Sequence, residues 1–258
     1  MEPLVIYQVE NRIAEIVINR PDKRNALNPT LVTELTAAFL KAQSDDDVKV
    51  VILKANGDVF SAGADLAYMQ QLQHFSYEEN IQDSTALKNL FETIRTLSKV
   101  VIAQVEGHAI AGGCGLATIC DIIFAVPEAK FGYTEVKLGF VPAIVSCYLV
   151  QKVGKTIAKK LLLNGDLFSA DEALKYNLIT YVTKAGEINQ IVREFAVNLN
   201  NSASGNSLAL TKQLINETSN TWLDSCLNNA IKVNAKTRES EDFKKGIASF
   251  LAKEKINW

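Results

Sequence analysis

The chain has 258 residues, of which 48% are hydrophobic and 22% are charged, and its net charge at pH 7 is −2. This composition is typical of a globular protein with a sizeable buried core. The near-neutral charge lacks the basic excess of nucleic-acid-binding proteins, and no apolar run reaches the ~18–20 residues of a membrane span. The N-terminal segment carries acids where a secretory signal has basic residues, so we expect a cytoplasmic protein.

The cysteines and histidines form no metal or redox motif. The cysteines lie in apolar stretches without a C-x-x-C pair, which predicts buried, reduced thiols. With only two histidines and no His-x-x-x-His pair, no metal site is expected. No G-x-S-x-G segment supports a serine hydrolase. The cysteines are Cys114, Cys120, Cys147 and Cys226.

Short β-type segments dominate the first part of the chain. Residues 4–9 and 13–18 are β-branched runs separated by a polar tripeptide, which predicts a hairpin. Asn28 followed by Pro29 is typical of a helix N-cap with proline at the first helical position. Apolar residues recur every four positions from Leu31, which predicts a helix with one buried stripe.

Strand-length apolar runs follow at 48–53, 100–105 and 121–126, with helical patterns between them at about 76–98 and 113–120. Buried strands that alternate with helices predict an α/β fold whose strands are covered by helices. No G-x-G-x-x-G segment follows a strand, so a Rossmann nucleotide-binding fold lacks its motif.

The pattern becomes mainly helical after residue 154. Ser169 and Glu172 have the spacing of a capping box at one helix start. The polar run 200–206 is the best linker candidate, so we divide the chain into a core of residues 1–200 and a helical region of residues 201–258. The predicted helices lie at about 155–163, 169–176, 188–199, 207–216, 222–237 and 239–253, with a short strand at 179–182.

Two segments of small residues follow strands and are suited to binding an oxygen atom. The first is F-S-A-G-A-D-L at 60–66, and the second is G-H-A-I-A-G-G-C-G at 107–115, where a helix begins. Small residues let a ligand approach the backbone, and amides at a helix N-terminus are unsatisfied and partly positive. Two such amides that converge on one oxygen would stabilise an enolate. Tight strand–helix packing is the alternative explanation.

A third segment, F-G-Y-T-E-V-K-L-G-F-V-P at 131–142, places Glu135 among apolar residues. Burial disfavours the charged form of a carboxyl group, so its pKa rises toward the range that suits acid/base catalysis. An exposed glutamate on a turn is the alternative.

In this order, the three segments resemble the signature segments of the crotonase (enoyl-CoA hydratase/isomerase) superfamily. The opening I-V-I-N-R-P-D-K-R-N-A-L-N and the closing F-L-A-K at 250–253 are similar to that family as well. The resemblance implies an α/β spiral of ββα units with a C-terminal helical oligomerisation region, assembled as a homotrimer or a dimer of trimers. It also implies an acyl-CoA thioester substrate, with no cofactor besides the coenzyme A that the substrate carries.

The resemblance assigns roles by position. The amides of Ala64 and Gly112 would donate to the thioester oxygen, and Glu135 would transfer the proton. Asp65 is expected chiefly to cap the helix that follows it. Positions implied to contact coenzyme A are Arg24, Ala26 and Ala62, together with Phe250 and Lys253 of a neighbouring subunit. The remaining candidates for substrate contact are Asp65, Leu66, Gly115 and Pro142.

The chain departs from the two-glutamate pattern of typical enoyl-CoA hydratases, because Gly115 stands at the position of their first glutamate. Three functions remain open. The chain is a hydratase that uses Glu135 alone, a Δ3,Δ2-enoyl-CoA isomerase in which Glu135 shuttles one proton, or a non-catalytic protein that binds acyl-CoA.

The residues around the signatures favour the hydratase. G-A-D-L-A-Y-M and P-A-I-V-S resemble a bacterial subgroup of methylglutaconyl-CoA hydratases of leucine degradation, which also have glycine at the first position. The carboxylate of such a substrate would need a cation near the acyl tail. The candidates are His74, Lys88, Arg95 and Lys137.

Overall fold

The computed structural model describes residues 3–256, whose strands form two sheets. The strands are β1 (Val5–Glu10), β2 (Ile13–Ile18), β3 (Val50–Ala55), β4 (Val59–Ser61), β5 (Val100–Val105), β6 (His108–Ile110), β7 (Ile122–Ala125), β8 (Lys130–Gly132), β9 (Phe168–Ser169) and β10 (Tyr181–Val182). The larger sheet has the order β1-β2-β3-β5-β7-β10 and is parallel except for the β1–β2 hairpin. The smaller sheet has the order β4-β6-β8-β9.

Ten helices are assigned within the described residues, and two short 3₁₀ turns lie at Pro21–Lys23 and Glu135–Leu138. The helices are α1 (Pro29–Ser44), α2 (Leu66–Leu72), α3 (Tyr77–Thr96), α4 (Gly112–Thr118), α5 (Ala143–Asn164), α6 (Ala170–Lys175), α7 (Ile188–Ser202), α8 (Gly205–Glu217), α9 (Asn220–Arg238) and α10 (Glu241–Ala252).

The strand pairing confirms the predicted α/β spiral. Each turn contributes one long strand to the larger sheet and one short strand to the smaller sheet: β3 with β4, β5 with β6, and β7 with β8. Equivalent strands of successive turns pair in parallel, so the turns stack along one axis. As a result, the chain segments that leave β4, β6 and β8 run side by side, and these segments carry the three sequence signatures.

Local sequence signals explain several helix boundaries. The Asn28 side chain accepts a hydrogen bond from the Leu31 amide at 2.9 Å, with Pro29 at the first helical position, as predicted. Leu31 and Leu35 are fully buried on the stripe that the spacing indicated. Ser169 and Glu172 form the predicted capping box at α6.

The structure corrects the sequence-based elements at three places. The strands of the smaller sheet were not predicted, because two or three residues are too few to show a period. Helix α5 starts at Ala143, well before the predicted start at 155, and changes direction at Gly154, whose φ is 71°. Helix α7 continues to Ser202, so most of the predicted linker is helical and α8 follows after only 203–204.

The C-terminal helices pack onto the core. Helix α9 lies against α3 and α5, while α10 contacts α2 and the turn at Glu135–Leu138. The division near residue 200 and the oligomerisation role of the helices after it stay predictions. Among the described residues, no helix is long and apolar enough to cross a membrane.

The prediction of four reduced thiols is wrong for one pair. Cys147 of α5 and Cys226 of α9 are joined in a disulfide, with Cα atoms 6.0 Å apart, whereas Cys114 and Cys120 are buried free thiols, as expected. The bonded pair is 79 residues apart in sequence, and only the packing of α5 on α9 brings the two sulfur atoms together. Spacing along the chain therefore gave no sign of it.

Candidate active site

The segments that leave β4, β6 and β8 border a cleft of about 1610 Å³. This volume exceeds the ~300–1,000 Å³ of ordinary small-molecule sites, so the cleft accommodates a long ligand. Of the predicted site residues, Gly115 and Lys253 do not line it. Those that do are Arg24, Ala26, Ala62, Ala64, Asp65, Leu66, Gly112, Glu135, Pro142 and Phe250.

Ala64 presents an unused backbone amide to the cleft. The Leu27 amide donates to the Gly63 carbonyl at 2.6 Å, and the Asp65 amide donates to the Leu27 carbonyl at 2.8 Å. These bonds engage the residues on either side of Ala64, and its own amide donates no hydrogen bond within residues 3–256. A strand-like bridge to Leu27 thus fixes the direction of this N–H group.

The Gly112 amide lies close to Gly63, the residue that precedes Ala64. Gly112 is the first residue of α4, so its N–H group has no partner inside the helix. The Cβ atom of a side chain placed on Gly63 would lie 3.6 Å from the Gly112 nitrogen and 2.9 Å from Ala111 Cβ. Gly63 has a φ of +86°, so only glycine allows this close approach without strain. The two amides are therefore suited to bind one oxyanion.

Ala111 is held in a rare backbone conformation next to this pair. Its φ and ψ are 49° and −124°, which costs a non-glycine residue about 1–3 kcal/mol. The Ala111 amide donates to the Gly132 carbonyl at 2.7 Å, and this bond helps to hold the conformation. The strained backbone of Ala111 sets the direction of the Gly112 amide, which follows it in the chain.

Glu135 is a buried carboxylate with an unused oxygen atom. It begins the turn Glu135–Leu138 on the cleft wall and is 7% exposed. Its Oε2 atom has no hydrogen-bond partner in the described part of the chain. Burial raises the pKa of Glu135 to about 7, opposed only in part by a hydrogen bond from its own amide. Near neutral pH this group can both accept and donate a proton.

Gly115 lies beneath the cleft surface. A Cβ atom on Gly115 would come within 2.5 Å of Val145 Cγ2 and 3.1 Å of Phe91 Cζ. The place of a first glutamate is thus filled by apolar side chains, and Val145 rather than Gly115 lines the cleft. Glu135 has no second carboxylate at that position.

Asp65 caps α2, as predicted. Its side chain accepts from the amides of Ala67 and Tyr68 and lies 2.6 Å from Arg20 Nη1. Burial alone would raise the pKa of Asp65, but the hydrogen bonds from Arg20 and from the two amides hold it below its ordinary value. Arg20 also donates to the Ala26 carbonyl at 2.9 Å, which ties the loop before α1 to the cap.

Removing this carboxylate should destabilise the fold. We expect Asp65→Ala to lower the free energy of unfolding by about 1–2 kcal/mol, because one N-cap with two bonds is lost. Asp65→Asn keeps the capping oxygen but not the charge opposite Arg20, and should lose less stability than Asp65→Ala. Urea denaturation of the two variants beside the wild type measures the difference, and equal losses would show that the cap contributes little.

Three of the residues predicted to contact coenzyme A line the cleft on loops that are hydrogen-bonded to each other: Arg24, Ala26 and Ala62. The Ala62 amide donates to the Arg24 carbonyl at 3.0 Å, which joins the loop before α1 to the first signature. Arg24 and the neighbouring Lys23 are exposed cations beside the cleft, suited to phosphate groups.

The C-terminal helix contributes to the cleft of its own chain. Phe250 of α10 lines it, and the contribution from a neighbouring subunit that the resemblance implied stays a prediction. Phe250 lies there because α10 packs closely against the turn at Glu135–Leu138. Gly246 lies against the Leu138 backbone, and a Cβ atom on Gly246 would clash with the Leu138 oxygen. Lys253 ends α10 in a left-handed conformation and does not line the cleft.

Of the four cations proposed to bind a substrate carboxylate, only one lines the cleft. His74, Lys88 and Arg95 do not line the cleft; Arg95 is paired with Glu92 at 2.8 Å. Lys137 lines the cleft but is paired with Asp166. Sequence analysis missed the polar residues Tyr68, Asp83, Asn234 and Arg238, which do line it. Tyr68 lies in the G-A-D-L-A-Y-M stretch but was given no role, and the other three belong to no motif; only the fold brings their three helices together.

Comparisons with known proteins agree with this geometry. Residues 8–258 match the family model "Enoyl-CoA hydratase/isomerase". A Thermus thermophilus protein described as "Putative enoyl-CoA hydratase" is 39% identical over 249 residues, covering 96% of this chain and 98% of that protein. The "Crotonyl-CoA hydratase" of Syntrophomonas wolfei is 34% identical over 256 residues, covering 98% of this chain and 97% of that protein.

Solved structures show the same architecture. The crystal structure of an enoyl-CoA hydratase from Mycobacterium avium superposes with a TM-score of 0.89 at 30% identity, covering 100% of both chains. The chain therefore belongs to the enoyl-CoA hydratase/isomerase family, the crotonase superfamily.

Proposed function

We propose that this protein is an enzyme that hydrates a 2-enoyl-CoA thioester, with Glu135 as its acid/base. The observation that carries the proposal is the unpartnered carboxyl oxygen of Glu135, on a cleft that also presents the free amides of Ala64 and Gly112. The names of the relatives from Syntrophomonas wolfei and Mycobacterium avium support hydration as the reaction.

In the proposed mechanism, the Ala64 and Gly112 amides bind the thioester oxygen and stabilise the enolate. The Glu135 carboxylate takes one proton from a water molecule while the water oxygen bonds to C3. The protonated Glu135 then donates this proton to C2, which collapses the enolate and restores the carboxylate. Coenzyme A enters and leaves with the substrate, so no separate cofactor takes part.

The sequence pattern suggests 3-methylglutaconyl-CoA as the substrate, which would place the reaction in leucine degradation. An assembly as a homotrimer or a dimer of trimers in the cytoplasm is part of the same proposal. Exposed apolar side chains on the C-terminal helices support an interface there. They are Leu210, Leu214, Ile215 and Trp222.

A Δ3,Δ2-enoyl-CoA isomerase is the second candidate, and the packing at Gly115 favours it. Val145 and Phe91 fill the space in which a second carboxylate would hold the water. One glutamate suffices to move a proton between C2 and C4, whereas hydration requires Glu135 and backbone groups to hold the water without help.

Product analysis tests the proposed function. Incubation with crotonyl-CoA, followed by chromatography and mass spectrometry, should give the 3-hydroxyacyl thioester, one water heavier than the substrate. The Glu135→Gln variant under the same conditions is the control for uncatalysed hydration. If the wild type forms no more hydroxyacyl product than this control, the hydratase proposal is wrong.

The reaction should depend on pH through Glu135. Because the pKa of Glu135 is raised to about 7, its carboxylate form is depleted below that pH. Hydration needs the carboxylate to take a proton from water, so kcat/KM should rise through an apparent pKa near 7 and level off above it. Initial rates with crotonyl-CoA from about pH 5 to about pH 9 check this; a profile that falls with pH would contradict the assignment.

A further inference from the structure

A polar cluster lies on the wall of the cleft formed by α2, α3 and α9. Four of its side chains line the cleft, and Asn80 lies behind them, 1% exposed. Neighbouring parts of this wall are apolar, including Phe140 and Phe243. Three members of the cluster, Asn80, Asn234 and Arg238, are buried, and buried polar groups are normally hydrogen-bonded. The cluster consists of Tyr68, Asn80, Asp83, Asn234 and Arg238.

Arg238 is the centre of the polar cluster. Its Nη2 atom lies 2.7 Å from Asp83 Oδ2, and its Nη1 atom donates to Asn80 Oδ1 at 3.0 Å. The Tyr68 hydroxyl donates to the other oxygen of Asp83 at 2.5 Å. Burial, and then this hydrogen bond, raise the pKa of Tyr68, so it remains a donor near neutral pH. These contacts fix the orientation of the guanidinium.

Hydrogen-bonding capacity is left over in the cluster. Two of the five N–H groups of a guanidinium are used in the contacts above, and Arg238 Nε has no partner in residues 3–256. Asn234, one turn earlier on α9, has an unpartnered amide oxygen, which is an acceptor and so does not itself bind a carboxylate. Both residues are 5% exposed. Unused polar groups of a buried cation destabilise the protein unless a ligand engages them.

The cluster is connected to the catalytic glutamate through Phe140. The Phe140 amide donates to the Glu135 carbonyl at 3.0 Å, and its ring centroid lies 5.6 Å from Arg238 Cζ. Glu135, Phe140 and Arg238 all line the same cleft. An acyl group bound at Glu135 therefore lies in the same cleft as the polar cluster.

We propose that Arg238 binds a carboxylate at the distal end of the acyl group, so that the polar cluster selects acidic acyl chains. This inference rests on the proposed function, since it names the substrate class of the same site. Asp83 offsets the charge of Arg238, and Glu79 adds an exposed carboxylate to the cleft. Recognition therefore depends on directed N–H donors of a fixed guanidinium and not on an excess of positive charge.

The test compares binding of two saturated thioesters of equal chain length, glutaryl-CoA and valeryl-CoA. Glutaryl-CoA ends in a carboxylate, whereas valeryl-CoA ends in a methyl group. Neither has a double bond that could be hydrated. Titration calorimetry on the wild type should give tighter binding of glutaryl-CoA. In the double variant Asp83→Asn/Arg238→Met, glutaryl-CoA affinity should fall by about 10- to 100-fold, while valeryl-CoA affinity should stay within about 3-fold.

The double variant removes both charges of the pair, so no buried charge is left unpaired. Circular dichroism checks its fold; if it does not fold, Arg238→Lys serves instead. Lysine keeps the charge but lacks the planar fork, and should still lower glutaryl-CoA affinity about 10-fold. Equal binding of the two thioesters by the wild type, or equal losses of both in the variant, would overturn the proposal.

Hydration of crotonyl-CoA, measured in parallel, separates this inference from the proposed function. Crotonyl-CoA has no distal carboxylate, so its turnover reports on Glu135 and the two amides alone. Absent turnover with intact selectivity for glutaryl-CoA would contradict the hydratase and leave the role of Arg238 standing. Normal turnover of crotonyl-CoA without selectivity for glutaryl-CoA would support the hydratase and contradict the role of Arg238.

Discussion

Replacement of Glu135 by Gln is expected to lower kcat for the hydration of crotonyl-CoA by about 10²- to 10⁴-fold, the usual contribution of one general acid/base group. Glutamine has nearly the same shape but cannot take up a proton, and the amides of Ala64 and Gly112 remain in place. The affinity for a saturated acyl-CoA should therefore change little. Steady-state kinetics and titration calorimetry on the same preparations measure both quantities.

The stability of this variant separates lost chemistry from lost structure. The folded-state pKa of Glu135 is raised to about 7 from an ordinary value of 4.5, so ionisation disfavours the folded state as the pH rises between these values. Glu135→Gln should thus be more stable than the wild type above pH 7, by up to about 3 kcal/mol, with the advantage fading at acid pH. Glu194→Gln on the exposed surface of α7 is the matched control and should change neither activity nor stability. Wild-type activity in Glu135→Gln would show that another group transfers the proton.

Gly115→Glu should damage the protein instead of restoring a two-glutamate site. The new Cβ atom would come within 2.5 Å of Val145 Cγ2, and overpacking of this kind costs about 1–3 kcal/mol. The carboxylate would in addition be placed among Val145 and Phe91, where its charged form is poorly solvated. We expect a lower free energy of unfolding and less hydration of crotonyl-CoA than in the wild type.

A second substitution tests whether Val145 is the cause. The double variant Gly115→Glu/Val145→Ala removes the nearest contact and should regain stability relative to Gly115→Glu alone. Gly115→Ala, which adds only the Cβ atom, is the control for backbone effects. Urea denaturation of the set provides the comparison. Wild-type stability of Gly115→Glu would mean that the packing around Gly115 is looser than the structure indicates.

The sequence predicted the fold, several helix caps and the burial of Glu135, because these depend on local signals. The hairpin β1–β2, the N-cap at Asn28 and the cap at Asp65 follow from residue types within a few positions of one another. The apolar neighbours of Glu135 correctly indicated its burial.

Other features depend on contacts between distant segments, which no local pattern records. Cys147 meets Cys226 only through the packing of α5 on α9. Arg238 reaches the cleft because α9 packs against α3, whereas Arg95, a candidate from sequence, is paired with Glu92. Phe250 lines the cleft of its own chain because α10 packs closely on Leu138. No sequence motif encodes this contact.

In the proposed mechanism, Glu135 alone supports hydration. The most direct test of this role is the ultraviolet absorbance of the conjugated enoyl thioester, followed with crotonyl-CoA, 3-methylglutaconyl-CoA and 3-hexenoyl-CoA side by side. Hydration removes the conjugation, so we predict a loss of absorbance with crotonyl-CoA and a faster loss with 3-methylglutaconyl-CoA, both absent in Glu135→Gln. A rise of absorbance with 3-hexenoyl-CoA, without any loss with the two conjugated substrates, would contradict hydration by Glu135 and identify an isomerase.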